Sequence, residues 1–259
     1  MTGIARSSLR WRWPACIAGL LLCACGLQSS PATPPTPSQR TAFNAHVYAA
    51  LGASETVGLG AEHPERDAWP QVFYSNYLPE SAVFYNFGSP GATTQRALTT
   101  ELSNALGVRP DLATVWLNTN DLLHSVPVDT YEQQLDQLVA ALRQGGRARV
   151  LLANTPVLDG LPAYRDCLGP QAGPRCLIHD RPPPQPEAIR AAVAGYNVAI
   201  ARVAARHGAT LIDLHCQGDM ATQHPDWLSA DGFHPNTRGY AAIAGAFAGR
   251  SPCPGPRSA

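Results

Sequence analysis

Short apolar segments alternate with amphipathic helical patterns over most of this 259-residue chain, and this alternation is the feature that most restricts its fold. Repeated alternation of strand and helix predicts a parallel sheet with helices on both faces, joined by right-handed crossovers. The segments predicted to be strands are His46–Leu51, Ala82–Phe87, Ala113–Leu117, Val150–Ala153 and Thr210–Leu214.

Helical periodicity predicts four main helices in the folded region. The first is expected over Thr94–Leu106. Asp129 and Glu132 have the spacing of a capping box at the start of the second helix. The third is expected to end at Gly208, and Asn236 has the position of an N-cap for the last one.

Residues 157–186 interrupt the alternation with a stretch rich in Pro and Gly. A loop of this length in a compact domain is usually functional, so we expect it to form a lid or a pocket wall.

The N-terminal residues have the pattern of an export signal. Three arginines precede the apolar run Ala15–Cys25, which is too short to span a membrane. The run ends in Leu22-Cys23-Ala24-Cys25, which resembles the bacterial lipoprotein signal. That resemblance implies a signal peptide at 1–24, lipidation of Cys25, and an exported bacterial protein anchored to a membrane. An ordinary secretory signal is the alternative.

Composition limits the chemistry of the rest of the chain. All nineteen basic residues are Arg, and they balance nineteen acidic residues. The lack of Lys excludes Schiff-base chemistry and a phosphate-loop lysine, and the charge balance disfavours nucleic-acid binding. Residues 25–40, rich in Pro and Ser, are expected to be a tether, and 41–259 the folded domain. We expect a monomer.

Four cysteines lie in the folded region: Cys167, Cys176, Cys216 and Cys253. An even number in an exported chain indicates disulfides, and three connectivities are open. We favour Cys167–Cys176, which closes a short loop, and Cys216–Cys253, which ties the tail to the domain. A metal site is the competing interpretation, but the spacing of Cys and His does not support it. We expect no metal and no cofactor.

Polar residues follow several predicted strands, where ligands bind in open α/β sheets. Ser54 is a candidate nucleophile, His234 its base, and Asp231 the group that orients the histidine. The backbone N–H groups of Ser54 and Gly91 and the side-chain amide of Asn120 are candidate donors to an oxyanion. Each residue alone has a simpler interpretation, such as a helix N-cap for Ser54 or a turn glycine for Gly91.

Four short blocks follow one another along the chain: Gly52-Ala53-Ser54, Asn86 with Gly91 five residues later, Asn118-Thr119-Asn120-Asp121, and Asp231-Gly232-Phe233-His234-Pro235. In this order they resemble the motifs of the SGNH (GDSL-type) hydrolase family. The resemblance implies a three-layer α/β/α domain with a five-stranded, mostly parallel, flavodoxin-like sheet, and metal-free hydrolysis of esters by Ser54, His234 and Asp231.

The sequence departs from the family pattern at Ala53 and Asn118, where the blocks have Asp and Gly. Neither position is among the residues expected to react, so the reaction class is retained while the subfamily stays open. The larger α/β-hydrolase fold is disfavoured because the Gly-x-Ser-x-Gly elbow is missing.

We therefore expect a serine esterase acting on a small ester or acylated substrate. Two alternatives remain: an O-acetyl-esterase or acyltransferase on cell-envelope sugars, and a non-catalytic surface binding module on a hydrolase fold.

Overall fold

The computed structural model describes residues 43–143, 147–178, 182–217 and 220–250. The predicted signal peptide at 1–24, the lipidation site Cys25 and the tether at 25–40 lie outside the described residues. Cys253 lies outside them too, so the pairing of Cys216 with Cys253 remains a prediction.

A five-stranded sheet forms the centre of the domain, in the order β2-β1-β3-β4-β5. All four strand pairings are parallel, which confirms the predicted α/β class. The predicted strands are all present, and their ends differ from the predicted ones by no more than two residues. Their bounds are β1 Val47–Gly52, β2 Val83–Asn86, β3 Leu112–Trp116, β4 Arg149–Ala153 and β5 Thr210–Ile212.

Helices cover both faces of this sheet. Their bounds are α1 Ser54–Val57, α2 Pro64–Asp67, α3 Trp69–Tyr77, α4 Thr94–Gly107, α5 Thr119–Leu123, α6 Val128–Arg143, α7 Pro162–Arg165, α8 Pro186–His207, α9 Met220–Gln223 and α10 Thr237–Phe247. Two short 3₁₀ turns follow β5, at His215–Gln217 and Pro225–Trp227.

Alternate residues of the strands point into two separate cores, as the period of a buried strand requires. Ala49 and Leu51 of β1 belong to a core shared with α4, α6 and α8. Tyr48 and Ala50 belong to a second core shared with α3 and α10. The domain is therefore the expected three-layer α/β/α structure.

The helix ends agree with most of the predicted signals. The Asn236 side chain accepts hydrogen bonds from the backbone N–H groups of the first turn of α10, at 3.0 and 3.1 Å. Gly208 ends α8 with φ of +60°, a conformation that favours glycine. The capping box was wrong: α6 begins at Val128, so Asp129 lies inside its first turn. Glu132 instead pairs with arginines of α8.

Of the described helices, α8 alone is long and apolar enough to cross a membrane by composition. Its apolar residues Val193, Tyr196, Ile200 and Val203 are buried in the core beside α6. In this fold α8 is an outer-layer helix of the domain.

The interrupting segment 157–186 contains α7 and a disulfide. Cys167 and Cys176 are bonded, which confirms the first predicted pair. Asp166 accepts two hydrogen bonds from the Arg175 guanidinium, at 2.9 and 3.0 Å, which close the same short loop.

Candidate active site

A tight turn after β1 presents Ser54. The strand ends at Gly52, and Ser54 opens the one-turn helix α1. A side chain at Gly52 would place its Cβ 2.1 Å from Thr56 Oγ1 and 2.9 Å from the Trp116 carbonyl oxygen. The close approach of β3 and α1 therefore requires glycine at the end of β1.

Ser54, His234 and Asp231 form one chain of hydrogen bonds. Ser54 Oγ lies 2.9 Å from His234 Nε2, and His234 Nδ1 lies 2.6 Å from Asp231 Oδ2. When the ring proton is on Nδ1, that N–H donates a hydrogen bond to Asp231. Nε2 is then free to accept a hydrogen bond from the serine hydroxyl. The structure thus brings together the three residues that the sequence selected, although 180 positions separate Ser54 from His234.

Asp231 has the environment of a permanently ionised carboxylate. Its Oδ1 accepts hydrogen bonds from Ser229 Oγ at 2.7 Å and from the backbone N–H groups of Phe233 and His234 at 2.8 and 2.9 Å. Partial burial alone would raise the pKa of Asp231, but these donors and the His234 ring lower it to about 2. The carboxylate therefore keeps its charge and fixes the His234 ring.

Two hydrogen bonds join the second block to the nucleophile turn, and a third lies within the block. The Asn86 side-chain amide donates to the Thr56 carbonyl at 2.8 Å, and its Oδ1 accepts from Gly88 N–H at 3.0 Å. Ser89 N–H donates to the Gly52 carbonyl at 2.9 Å. This network holds the loop after β2 next to the turn that contains Ser54.

Gly91, on the loop after β2, lies close to Asn120, which belongs to α5 after β3. Gly91 has φ of +73°, which favours glycine, and an added Cβ there would meet nothing within 4 Å. The Asn120 side-chain amide donates to the carbonyl of the next residue, Ala92, at 3.1 Å. The two predicted oxyanion donors are therefore close neighbours with an open approach.

Asp121 links the second and third blocks. Its carboxylate accepts from the Thr94 N–H at 3.0 Å and from the Thr94 hydroxyl at 3.2 Å. Burial raises the pKa of Asp121 to about 6, although these hydrogen bonds act in the opposite direction. Asp121 thus ties the Asn120 turn to the start of α4.

The two departures from the family pattern are both buried. Ala53 packs in the core beneath the turn. Asn118 is 2% exposed, and its Oδ1 accepts from the Thr119 hydroxyl at 3.1 Å. Asn118 therefore forms part of the interior of the loop after β3.

Glu101 holds the nucleophile turn in a way that sequence reasoning missed. This α4 side chain is 3% exposed, and its Oε2 accepts from the Gly52 N–H at 2.9 Å. Burial raises the pKa of Glu101 to about 7. The missed signal is its position between Ala97 and Ala105, where a lone acid interrupts the apolar face of α4.

Two other residues near Ser54 were also missed. Ser229 supports Asp231 and lies only two positions before it. Glu55 directly follows Ser54, is 9% exposed, and has its Oε2 3.3 Å from Ser54 Oγ. Both lie within two positions of a residue that the motifs identified. This proximity in the sequence is the signal that could have predicted their place in the site.

An apolar cavity of about 300 Å³ adjoins the site. Thr119 and Phe233, which line it, are the chain neighbours of Asn120 and His234. The segment 157–186 supplies one side of the cavity, as expected for a pocket wall. On that side, the Tyr164 hydroxyl donates to the Pro184 carbonyl at 2.5 Å. The remaining lining comes mainly from the loop between α5 and α6 and from the first turns of α8.

Solved structures of several hydrolases resemble this domain. LAE5, an alpha/beta hydrolase enzyme from the metagenome of Lake Arreo, is 22% identical, with a TM-score of 0.60, over 81% of this chain and 98% of its own. The psychrotrophic esterase EstA from Pseudoalteromonas sp. is 20% identical, with a TM-score of 0.56, over 78% of this chain and 93% of its own.

Phospholipase A1 from Streptomyces albidoflavus NA297 is 19% identical, with a TM-score of 0.57, over 80% of this chain and 100% of its own. At these identities the likeness shows a shared fold. No curated protein sequence matches the chain.

A comparison with family models shows the family of the chain, which the solved structures do not. The model of the GDSL-like Lipase/Acylhydrolase family matches residues 50–242, which include every block from the Ser54 turn to the His234 loop. The chain therefore belongs to the GDSL-like lipase/acylhydrolase family and is a serine hydrolase that acts on ester bonds.

Proposed function

We propose that Ser54 is the nucleophile of a carboxylic-ester hydrolase, with His234 as its base and Asp231 as the orienting carboxylate. The observation that carries this proposal is the continuous chain of hydrogen bonds from Ser54 Oγ through His234 to Asp231. A serine hydroxyl needs such a base because it is a weak nucleophile while it retains its proton.

The proposed reaction has two halves. Ser54 Oγ bonds to the ester carbonyl carbon while its proton passes to His234 Nε2. The bond to the alcohol oxygen then breaks, and that oxygen takes the proton from His234, which leaves an acyl-enzyme. Water next gives a proton to His234 and attacks the acyl carbon. The bond to Ser54 Oγ breaks as the proton returns to the serine, and the acid is released.

The oxyanion formed in each half needs donors. We assign this role to the backbone N–H groups of Ser54 and Gly91 and to the Asn120 side-chain amide. The Asn120 nitrogen carries two hydrogens, and only one is needed for its bond to Ala92. The loss of one such donor typically slows a reaction by about 10²–10³-fold.

We assign the acyl part of the substrate to the apolar cavity. The residues that line it are almost entirely aliphatic or aromatic, and Thr119 and Phe233 connect it to the site. A hydrocarbon chain gains free energy by leaving water for such a cavity, whereas a sugar would leave hydroxyl groups without partners. This supports a medium-chain acyl ester over an acetylated sugar as the substrate.

Ser54→Ala, with Ser75→Ala on the exposed face of α3 as its matched control, tests the proposal. Hydrolysis of aryl esters from acetate to palmitate is measured with the purified proteins, and a fluorophosphonate probe reports the reactive serine. We expect Ser54→Ala to lose about 10⁴-fold or more in kcat and all labelling, with Ser75→Ala unchanged. Turnover retained by Ser54→Ala would refute Ser54 as the nucleophile, and a wild-type protein with neither labelling of Ser54 nor ester turnover would favour a binding module.

The chain-length profile tests the cavity separately. We expect kcat/KM to rise from acetate to a medium chain and then to fall, because the cavity has a limited volume of about 300 Å³. A maximum at acetate, together with turnover of acetylated sugars, would contradict the assignment of the acyl chain.

We also propose that the mature protein is anchored to a membrane through a lipid on Cys25. The support is the Leu22-Cys23-Ala24-Cys25 motif behind a short basic and apolar leader. Intact-mass analysis of the membrane fraction should show a diacylated or triacylated Cys25, and Cys25→Ala should release the protein. An unmodified N-terminus in the membrane fraction would refute the anchor and leave the enzyme proposal in place.

A further inference from the structure

The residue that follows Ser54 brings a carboxylate into a largely buried position. Glu55 is 9% exposed, and its Oε2 lies 3.3 Å from Ser54 Oγ. Among the residues that the structure describes, no Arg or His forms an ion pair with it. A cation brought to this carboxylate in a mainly apolar setting would gain a favourable charge interaction. The described part of the site does not supply a cationic partner.

Glu55 also lines a second cavity, of about 60 Å³. Apart from Thr119, the other residues that line it are apolar, and they include the aromatic rings of Trp116 and Phe233. Thr119 and Phe233 line the larger acyl cavity as well. The two cavities are therefore neighbours, and the smaller one contains the carboxylate beside the nucleophile.

A negative charge at this place opposes the proposed reaction. Attack by Ser54 puts negative charge on the carbonyl oxygen of the ester, and an ionised Glu55 nearby repels it. A cation bound to Glu55 offsets this repulsion in the transition state. The faces of Trp116 and Phe233 favour a cation as well.

We propose that Glu55 and the smaller cavity bind a cationic group on the alcohol part of the ester, so that the substrate class is acyl esters of amino alcohols. This inference rests on the proposed function, which places the ester carbonyl at Ser54 Oγ. The acyl chain occupies the larger cavity, because its lining is almost entirely apolar and includes no charged side chain. The alcohol part then extends to the cavity that contains Glu55.

A pair of substrates that differ only in charge tests this. 2-(Dimethylamino)ethyl butyrate is protonated near neutral pH, and 3-methylbutyl butyrate is its uncharged counterpart of the same shape. We expect the wild-type protein to prefer the cationic ester by about tenfold or more in kcat/KM, the range of a charged hydrogen bond. Glu55→Gln should bring this ratio close to one and raise turnover of the neutral ester, because the repulsive charge is gone.

Glu62→Gln is the control, since it removes an exposed carboxylate seven positions away and should leave the ratio unchanged. A wild-type ratio near one, or an unchanged ratio in Glu55→Gln, would overturn the inference. If Glu55→Gln does not fold, the inference is tested instead by inhibition of the wild-type protein with the two free alcohols. N,N-dimethylethanolamine should inhibit more strongly than 3-methylbutanol, and equal inhibition would overturn the inference.

The same assays separate the two proposals. Loss of activity in Ser54→Ala without a charge preference in the wild type refutes the cation site alone. Retained activity in Ser54→Ala refutes the assignment of Ser54 as the nucleophile.

Discussion

Glu101→Gln perturbs the carboxylate that holds the nucleophile turn. Glu101 is 3% exposed, and burial raises its pKa from 4.5 to about 7, against the opposing effects of the Gly52 N–H and Arg96. The folded protein therefore keeps a proton that the unfolded chain releases above pH 4.5. The stability that Glu101 contributes is complete below pH 4.5 and is lost as the pH rises to about 7.

The expected size follows from the difference between the two pKa values. One pKa unit corresponds to about 1.4 kcal/mol. Between pH 4.5 and about 7, the free energy of unfolding of the wild type should fall by roughly 3 kcal/mol relative to Glu101→Gln. At higher pH Glu101 is ionised in both states, so this difference should stay constant. The amide of the variant keeps an oxygen that can accept from Gly52 N–H.

Urea denaturation at a series of pH values measures this difference directly. Other ionisable groups titrate in both proteins, so subtraction of the two curves isolates Glu101. Glu62→Gln, which changes an exposed side chain, should run parallel to the wild type. If the Glu101→Gln curve is also parallel to the wild type from pH 4.5 to 7, Glu101 does not have a raised pKa and the reasoning is refuted.

Two further predictions concern the loops around the site. Replacing both Cys167 and Cys176 by Ser should lower the free energy of unfolding by about 2–3 kcal/mol and reduce turnover of medium-chain esters more than of acetate, since the loop they close lies against the acyl cavity. Equal losses on both esters would contradict this. Asn236→Ala should cost about 1 kcal/mol in urea denaturation, because two N–H groups of α10 lose their acceptor. An unchanged unfolding midpoint would contradict it.

The sheet and the reacting residues were predictable because local patterns determine them. Apolar runs such as Ala113–Leu117 mark buried parallel strands, and parallel strands bring their carboxyl ends to one edge. Ser54 follows one of these ends. His234 and Asp231 are three positions apart on one loop, so a short motif carries their geometry.

Other parts of the site depend on contacts between distant segments. Glu101 reaches Gly52 from a position 49 residues away, and no local rule connects them. The acyl cavity requires α8 to pack against the segment that holds the Cys167–Cys176 disulfide. The capping-box prediction failed for a related reason. Glu132 pairs with Arg202, 70 residues away, and this tertiary ion pair replaces a local cap.

The three carboxylates around Ser54 show how environment assigns roles to one functional group. Asp231 receives several hydrogen bonds, so its pKa falls to about 2 and its charge orients His234. Glu101 is more deeply buried and receives one backbone hydrogen bond, so its pKa rises to about 7. Its role is to hold the nucleophile turn through the Gly52 N–H. Glu55 has the Ser54 hydroxyl beside it and an adjoining cavity. Glu55 thus lines a cavity beside the nucleophile, and this is why the inference about substrate charge depends on it.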